Sequence, residues 1–298
     1  MDLMTGSGRF QSLAPAIAAA LLFSLALGGC APMFFHPARK LAVPPDLAGG
    51  SLEEVFFPSG DGVRLHGWIL RPPAPPKGTI LFFHGNAENL STQVNAVLWL
   101  VKAGYLVFAF DYRGYGASDG TPDIPGVNRD GIAALDRAFR IRGGEGGGVA
   151  VYGQSLGGAI AVYAVARSPH KREVRALIVD SAFAGYRSIV RDKLQDFVVT
   201  WPFAVPASWT VDDGFNPESW IGLVSPVPVV VIHGTRDAVV PFAHAQELYR
   251  LAREPKGFWA VEGVGHVAAL SRPEVRKQFL DFLESVFPPP GGNRSPPH

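Results

Sequence analysis

The sequence has very little cysteine and almost no excess of charge of either sign. Its 298 residues include a single cysteine, Cys30, and the formal net charge is +1 at pH 7. One cysteine excludes both a disulfide framework and a cysteine cluster for a metal ion. Lysine and arginine are scattered and form no basic stripe. The chain therefore lacks the electrostatic footprint of nucleic-acid binding, and we expect no nucleic-acid partner.

Motifs that hold metals or phosphates are missing as well. The sequence contains no H-E-x-x-H and no glycine-rich loop of the phosphate-binding type, so it implies no metal and no other cofactor. It also contains no internal repeat. Apolar side chains, by contrast, are abundant. Hydrophobic residues make up 47% of the chain, which is enough for a sizeable core.

An apolar run near the N-terminus, SLAPAIAAALLFSLALGGC, ends at Cys30. A run of this length with small residues at its end is typical of an export signal. Its last four residues resemble a bacterial lipobox, the site where a signal is cut and the cysteine is lipidated. We expect residues 1–29 to be a lipoprotein signal peptide and Cys30 to be the lipidation site. An ordinary signal peptide and a membrane-anchor helix are the alternatives.

The residue after the cysteine bears on location. In the bacterial sorting pattern that this region resembles, Ala31 rather than aspartate favours the outer membrane. Acyl chains on one cysteine give two or three anchoring signals, which is enough for stable attachment. We therefore expect a lipid-anchored protein of the bacterial envelope, at the outer membrane and facing the periplasm.

The remaining chain divides into a tether, one domain and a tail. Prolines and glycines interrupt residues 30–50, which predicts a tether, and residues 288–298 predict a disordered tail. Residues 51–287 suit one large domain better than two small ones. Within them, apolar runs such as TILFFHG predict buried strands, and the intervening segments have helical spacing. A Gly60-Asp61-Gly62 turn joins the first two strands, as in a hairpin.

The alternation of strands and helices predicts the fold class, which is α/β. We expect a mostly parallel, doubly wound sheet of eight strands with helices on both faces. Ligands of such sheets bind beyond the carboxyl ends of the strands. The candidate functional residues are therefore those that directly follow a strand.

The stretch VAVYGQSLGGAI places Ser155 between a strand and a helix. This is the context of a nucleophile elbow, a sharp turn that lifts the serine hydroxyl above the sheet. Gly153 and Gly157 would leave room for that turn, because a Cβ at either position would clash. Taken alone, the stretch fits equally well a serine that caps a helix for structural reasons.

A serine nucleophile needs a base and an orienting carboxylate. Among the eight histidines, His266 follows the last strand, in EGVGHVAAL, and is the candidate base. Asp237 follows the penultimate strand and gives the chain order Ser, Asp, His of an α/β-hydrolase. Asp111 and Asp180 also end strands. We interpret these two as structural acceptors of hydrogen bonds from loop backbone N–H groups.

An oxyanion hole completes the predicted site. One donor is expected to be the backbone N–H of Leu156, directly after the nucleophile. The second is expected to be the backbone N–H of Asn86, in the loop FFHGNAENLS after the third strand.

Five motifs together resemble the α/β-hydrolase superfamily over nearly all of residues 50–287. They are FFHGNAENLS, DYRGYGASDG, GQSLGGA, VDSAF and IHGTRDAVVPFAHAQELY. The closer resemblance is to serine-aminopeptidase-like hydrolases and to α/β-hydrolase-domain proteins that remove palmitoyl groups from proteins. The resemblance implies Ser155, Asp237 and His266 as a triad, with Asn86 and Leu156 as oxyanion donors. It also implies that the loop carrying Tyr112, Arg113 and Gly114 supports the site.

The resemblance also implies a lid, inserted at about residues 185–224. Five aromatic residues lie in it, and we expect most of them to pack the lid onto the domain: Trp201, Phe203, Trp209, Phe215 and Trp220. A roof over an acyl pocket is the other interpretation.

We expect a monomeric serine hydrolase that cleaves a small or lipid-like acyl ester or thioester. Two alternatives remain open. The first is a serine peptidase acting on short peptides, in which an acid such as Glu88 would hold the substrate amine. The second is a non-catalytic envelope lipoprotein that uses the fold as a binding module. Acyl transfer to an acceptor other than water is a further possibility that no residue decides.

Overall fold

The structure is a computed structural model that describes residues 34–142, 148–195, 205, 208–209 and 211–287. The predicted signal peptide with Cys30, the predicted tail and the lid aromatics Trp201 and Phe203 lie outside these residues. Within them, no helix is both long and apolar enough to cross a membrane.

The strands form one large sheet and one very small sheet. They are β1 (His36–Pro37), β2 (Ser51–Pro58), β3 (Arg64–Arg71), β4 (Thr79–Phe83), β5 (Ala87–Glu88), β6 (Leu106–Asp111), β7 (Val149–Gln154), β8 (Val174–Asp180), β9 (Val229–Gly234) and β10 (Lys256–Val261). The large sheet has eight strands in the order β10-β9-β8-β7-β4-β6-β3-β2. All neighbours in it are parallel except β3, which pairs antiparallel with both β2 and β6. The predicted mostly parallel, eight-stranded sheet with an edge hairpin is confirmed.

Helices cover both faces of the large sheet. They are α1 (Leu90–Gln93), α2 (Leu98–Lys102), α3 (Ile124–Ile141), α4 (Leu156–Arg167), α5 (Tyr186–Gln195), α6 (Pro217–Trp220), α7 (Phe242–Leu251) and α8 (Pro273–Val286). Strand β4 shows why there are two cores, since successive side chains of a strand point to opposite faces. Leu81 and Phe83 pack with α3 and α4 on one face, while Ile80 and Phe82 pack with α2 and α8 on the other.

Two helices differ in extent from the sequence prediction. The helix expected across NLSTQVNAVLWLVKAG is interrupted by a 3-10 turn at Val94–Ala96. There the Asn95 side chain donates to the carbonyl of Thr92, which competes with regular helical bonding. Helix α3 begins before the predicted NRDGIAALDRAFRIR segment, because the Asp123 side chain caps it by accepting from the N–H of Gly126.

The largest difference from the sequence prediction is in the segment expected to be a tether. From Phe34 onward it lies on the domain, where β1 pairs in parallel with β5 of the loop after β4. Phe34 and Phe35 are buried. Burial of two adjacent phenylalanine side chains lowers the free energy of the folded chain, and this explains why the proline-rich stretch is not a free linker.

The lid region packs partly as expected. Phe215 and Trp220 both contact the ring of Tyr163 on α4, each with ring centroids 4.9 Å apart. Trp209 is different, because its side chain stays exposed.

Candidate active site

The site forms where the parallel strands end, and it is organised around Ser155. Strand β7 ends at Gln154 and helix α4 begins at Leu156, so Ser155 occupies the turn between them, with a φ of 54°. Few residues other than glycine tolerate a positive φ, and strained backbone of this kind is common at functional sites. The Ser155 N–H donates to the carbonyl of Asp180 at 2.8 Å, which ties the turn to strand β8.

The two predicted elbow glycines lie where a side chain would collide with backbone. A Cβ on Gly153 would lie 2.6 Å from the carbonyl oxygen of Gly157. A Cβ on Gly157 would lie 2.2 Å from the carbonyl oxygen of Phe83, at the end of β4. Helix α4 can therefore approach β7 closely because Gly153 has no side chain, and β4 because Gly157 has none.

The structure brings Ser155, His266 and Asp237 into one chain of contacts. His266 Nε2 lies 3.0 Å from Ser155 Oγ, and His266 Nδ1 lies 2.7 Å from Asp237 Oδ2. An ionised carboxylate only accepts hydrogen bonds, so Nδ1 carries a proton and donates it. In a neutral ring Nε2 is then unprotonated and able to accept the proton of the serine hydroxyl.

Asp237 is fixed by backbone as well as by His266. Its Oδ1 accepts from the N–H groups of Val239 and Val240, both at 2.8 Å. Burial alone would raise the Asp237 pKa. The hydrogen bonds from His266 and from these two N–H groups outweigh it, and the pKa lies below its ordinary value. Asp237 is therefore ionised at neutral pH.

Asn86 and Leu156, the two predicted oxyanion donors, line one cavity together with Ser155. Asn86 belongs to the oxyanion loop, residues 84–89. His84 Nδ1 donates to the carbonyl of Gly85 at 2.7 Å. The carbonyl of Gly85 and the N–H of Asn86 share one planar trans peptide and point in opposite directions. The His84 ring therefore sets the direction of the Asn86 N–H.

The cavity next to Ser155 is small and apolar. Its volume is about 170 Å³, and its walls come from the oxyanion loop, the elbow, the lid helix α5 and the loop after β9. The lining residues are Phe34, Asn86, Ser155, Leu156, Phe183, Ile189, Val190, Lys193, Val239 and Val240. None of them is an acid. Within the described ranges, no group of three or more His, Cys, Asp or Glu is arranged to hold a metal ion.

Known proteins share both this sequence and this fold. A family model described as serine aminopeptidase, S33, matches residues 74–220. The uncharacterised protein YfhR of Escherichia coli is 34% identical over 264 residues, which are 86% of this chain and 88% of YfhR. The α/β-hydrolase domain-containing protein WAV2 of Arabidopsis thaliana is 32% identical over 79% of this chain and 80% of its own.

The chain belongs to the α/β-hydrolase family. Among solved structures, the esterase Pf2001 of Pyrococcus furiosus matches this hydrolase with a TM-score of 0.66 at 21% identity. That match covers 85% of this chain and 99% of the esterase, and at such low identity it shows a shared fold.

His233, in the His-Gly pair at the end of β9, is a further neighbour of the site. Its Nε2 donates to the carbonyl of Val240 at 2.9 Å and lies 3.3 Å from Asp237 Oδ2. Burial lowers the pKa of His233, so the ring is neutral. In this hydrolase His233 packs under the Asp237 carboxylate, a role that the pair His-Gly at the end of a strand does not reveal.

Asp180 departs from its predicted bonding. The sequence predicted acceptance from loop backbone N–H groups. Instead its carboxylate accepts from the side chains of Tyr152, Gln154 and Ser181. Ser181 Oγ also accepts from the N–H of Val267, next to the candidate base. Burial raises the pKa of Asp180 against the effect of these donors. Asp180 thus supports the His266 turn through a side chain rather than through its own loop.

Asp111 bonds as predicted and also supports the oxyanion loop. Its Oδ1 accepts from the N–H of Leu90 at 2.7 Å and lies 3.4 Å from His84 Nε2. Burial would raise its pKa, but the hydrogen bond from His66 and the nearby His84 ring leave the pKa below its ordinary value.

The loop after β6 supports the site, as the resemblance implied. The Tyr112 hydroxyl donates to the carbonyl of His84 at 2.9 Å. Arg113 bonds to the buried carboxylate of Asp130 on α3, with its Nη2 2.7 Å from Oδ1. Gly114 has a φ of 84°, which favours glycine.

Proposed function

We propose that this chain is a serine hydrolase that cleaves acyl esters or thioesters. Ser155 is the nucleophile, His266 the base and Asp237 the residue that orients the base. The observation that carries the proposal is the continuous contact from Ser155 Oγ through the His266 ring to Asp237, at 3.0 Å and 2.7 Å. A serine that merely capped its helix would need no such partners, and Ser155 makes no side-chain cap bond.

The proposed reaction has two stages. His266 Nε2 takes the proton from Ser155 as Oγ attacks the acyl carbonyl carbon, and the N–H groups of Leu156 and Asn86 stabilise the oxyanion. His266 then donates its proton to the departing alcohol or thiol, which leaves an acyl-serine. Water, deprotonated by His266, attacks this ester and restores the serine. Asp237 stabilises the imidazolium throughout, without itself accepting the proton.

The cavity favours esters over peptides with a free amino terminus. A peptidase of that kind needs an acid to hold the substrate amine. Glu88, the predicted acid, is exposed in β5 and does not line the cavity. The cavity walls are mainly aliphatic and aromatic, as suits an acyl group. The family description as a serine aminopeptidase keeps peptide cleavage as the second candidate.

The test uses the full chain in detergent beside Ser155→Ala. The matched control is Ser285→Ala, since Ser285 is exposed on the distant helix α8. Hydrolysis of p-nitrophenyl esters, from acetyl to palmitoyl, is followed in parallel with an aminoacyl anilide. We expect ester cleavage by the native chain and by Ser285→Ala, and a loss of at least about 10³-fold in Ser155→Ala. Anilide cleavage instead of ester cleavage would favour the peptidase.

If no substrate is cleaved, a serine-directed phosphonate shows whether the substrates were unsuitable or the site is inactive. We expect it to label the native chain at Ser155 and not to label Ser155→Ala. No labelling and no turnover of any substrate would mean that the triad is not functional, and the binding-module alternative would then hold.

We also propose that the hydrolase is a monomer anchored through a lipid on Cys30, at the outer membrane and facing the periplasm. Support comes from the lipobox-like sequence before Cys30 and from the absence of any other cysteine. Cys30→Ser in the native host should move the protein from the membrane fraction to the soluble fraction. An unchanged membrane fraction would instead favour an anchor helix.

A further inference from the structure

Residues 34–42, here called the N-terminal strap, are bound to the oxyanion loop. The N–H of His36 donates to the carbonyl of Asn86, and the N–H of Ala38 donates to the carbonyl of Glu88, both at 2.9 Å. These bonds form the β1–β5 pair. The carbonyl of Asn86 also accepts from the hydroxyl of Tyr115 at 2.8 Å. The carbonyl of Asn86, the residue proposed as an oxyanion donor, is therefore fixed by one hydrogen bond from the strap and one from Tyr115.

Side chains on both flanks fasten the strap. The Asn89 amide donates to the carbonyls of Ala38 and Lys40, at 3.0 Å and 2.9 Å. The N–H of Ala42 donates to Ser91 Oγ at 2.7 Å. On the other flank, Arg39 donates to the carbonyls of two residues in the loop after β6. The strap is therefore integrated into the loops that surround the site.

Phe34, at the start of the strap, forms part of the cavity wall. Only 6% of Phe34 is exposed, and its ring packs edge-on against Tyr186 of the lid helix, with centroids 5.2 Å apart. It also lies 6.3 Å from the ring of Phe183. Phe34 lines the same cavity as Ser155 and Asn86. A residue outside the predicted catalytic domain therefore limits the space beside the nucleophile.

We propose that the N-terminal strap is a working part of the active site, with Phe34 as the residue that sets acyl-chain length. This rests on the proposed serine hydrolase. A cavity of about 150 Å³ holds benzene, so the 170 Å³ present here accommodates about six carbons. The preferred substrates are accordingly esters or thioesters of short acyl groups. A palmitoyl chain is much longer and would extend beyond this cavity unless Phe34 moved.

Strand β1 has a second role in the same proposal, as a positioning element. It keeps Asn86 in one place while charge develops on the substrate oxygen. Donors that are already in place lower the barrier, because no reorganisation is needed during reaction. Loss of a strap hydrogen bond should therefore reduce kcat more than it changes KM.

The first experiment compares Phe34→Ala with Val43→Ala in the full chain. Val43 follows the strap and is 88% exposed, so its variant should match the native chain. For Phe34→Ala, the ratio of kcat/KM for octanoyl over butyryl p-nitrophenyl ester should rise at least about tenfold, since one methylene in a pocket is worth that much. Phe34→Leu provides a milder change if the alanine variant does not fold, with a rise in the same direction.

The outcomes separate this proposal from the function on which it rests. An unchanged ratio in a folded Phe34 variant that still reacts with the phosphonate at Ser155 would overturn the role of Phe34 alone. A native chain that neither turns over esters nor reacts with the phosphonate would overturn the serine hydrolase itself, and this proposal with it.

The second experiment removes one hydrogen bond of the strap. Ala38→Pro deletes the N–H that donates to Glu88, while Val43→Pro changes an exposed residue whose N–H has no such role in β1. We expect kcat of Ala38→Pro on the butyryl ester to fall about tenfold or more, with KM changed less than about threefold. A lower melting temperature with unchanged kcat would show that the strap is only structural.

Discussion

The sharpest prediction concerns Asp237→Asn, a change that replaces one oxygen by an NH₂ group. The orientation of the new amide is dictated by its surroundings. Two backbone N–H groups, those of Val239 and Val240, donate to Oδ1, so an oxygen has to stay at that position. The NH₂ group therefore occupies the former Oδ2 position, 2.7 Å from His266 Nδ1.

This orientation reverses the tautomer of the base. Facing a donor, Nδ1 of His266 has to accept, so the proton of the neutral ring moves to Nε2. That nitrogen lies 3.0 Å from Ser155 Oγ and can no longer take the serine proton. The equivalent change in chymotrypsin-like proteases lowers kcat about 10⁴-fold by this effect. We expect a decrease in kcat of the same size here, which corresponds to a loss of about 5.5 kcal/mol of transition-state stabilisation.

The assay is kcat on a short-chain p-nitrophenyl ester, measured beside the exposed control Asp281→Asn. Phosphonate labelling should slow in parallel, because it uses the same nucleophile. The melting temperature should fall modestly, because the new NH₂ group also faces the Nε2–H of His233. Two hydrogen-bond donors then face each other without an acceptor, which destabilises the folded state. An Asp237→Asn enzyme that keeps more than about a tenth of native kcat would refute the assignment of Asp237 as the orienting residue.

Three further predictions test the surroundings of the site. Gly157→Ala places a Cβ 2.2 Å from a backbone carbonyl oxygen, and it should cost at least about 3 kcal/mol of unfolding free energy and lower kcat at least about 100-fold. Tyr115→Phe should cost about 1 kcal/mol of unfolding free energy and lower kcat about tenfold. Tyr105→Phe removes a buried hydroxyl that has no hydrogen-bond partner among the described residues, so it should leave kcat unchanged and should not lower the unfolding free energy. The hydrogen bond from Arg113 lowers the pKa of Asp61 from 3.8 to about 2, so Asp61 stabilises the fold above pH 3.8 and loses this effect as the pH falls towards 2. Acid melts should therefore drop less steeply in that range for Asp61→Asn.

The parts of the fold that the sequence predicts are those with a strong local signal. Apolar runs such as TILFF are buried on both faces of the sheet, so they are recognisable without any partner. Helix α4 begins directly after Ser155, as the glycine pattern indicates. Asp237 and His266 are also predictable, because each is a suitable side chain directly after a strand at the ligand-facing edge.

What the sequence does not predict depends on contacts between distant segments. The strap has no apolar alternation, and β1 is only two residues long. The strap is held in place by its backbone pairing with the oxyanion loop and by the packing of the Phe34 ring against Tyr186 and Phe183. Likewise, two donors to Asp180, Tyr152 and Gln154, lie on β7, and only the sheet register brings them to Asp180 on β8. The prolines and glycines of this segment indicate irregular backbone, but the surface that the segment contacts is formed by residues elsewhere in the chain.

The strap also relates the proposed anchor to the proposed chemistry. Cys30 precedes Phe34 by four residues, which span at most about 14 Å even when fully extended. If Cys30 is lipidated as we propose, the cavity wall formed by Phe34 stays within that distance of the acylated cysteine. If the cavity accepts only a short acyl group, as we also propose, the bulk of a substrate lies in its alcohol or thiol part, outside the cavity. An anchor at this position therefore favours substrates that are held at the bilayer by their leaving group and present a short acyl group to Ser155.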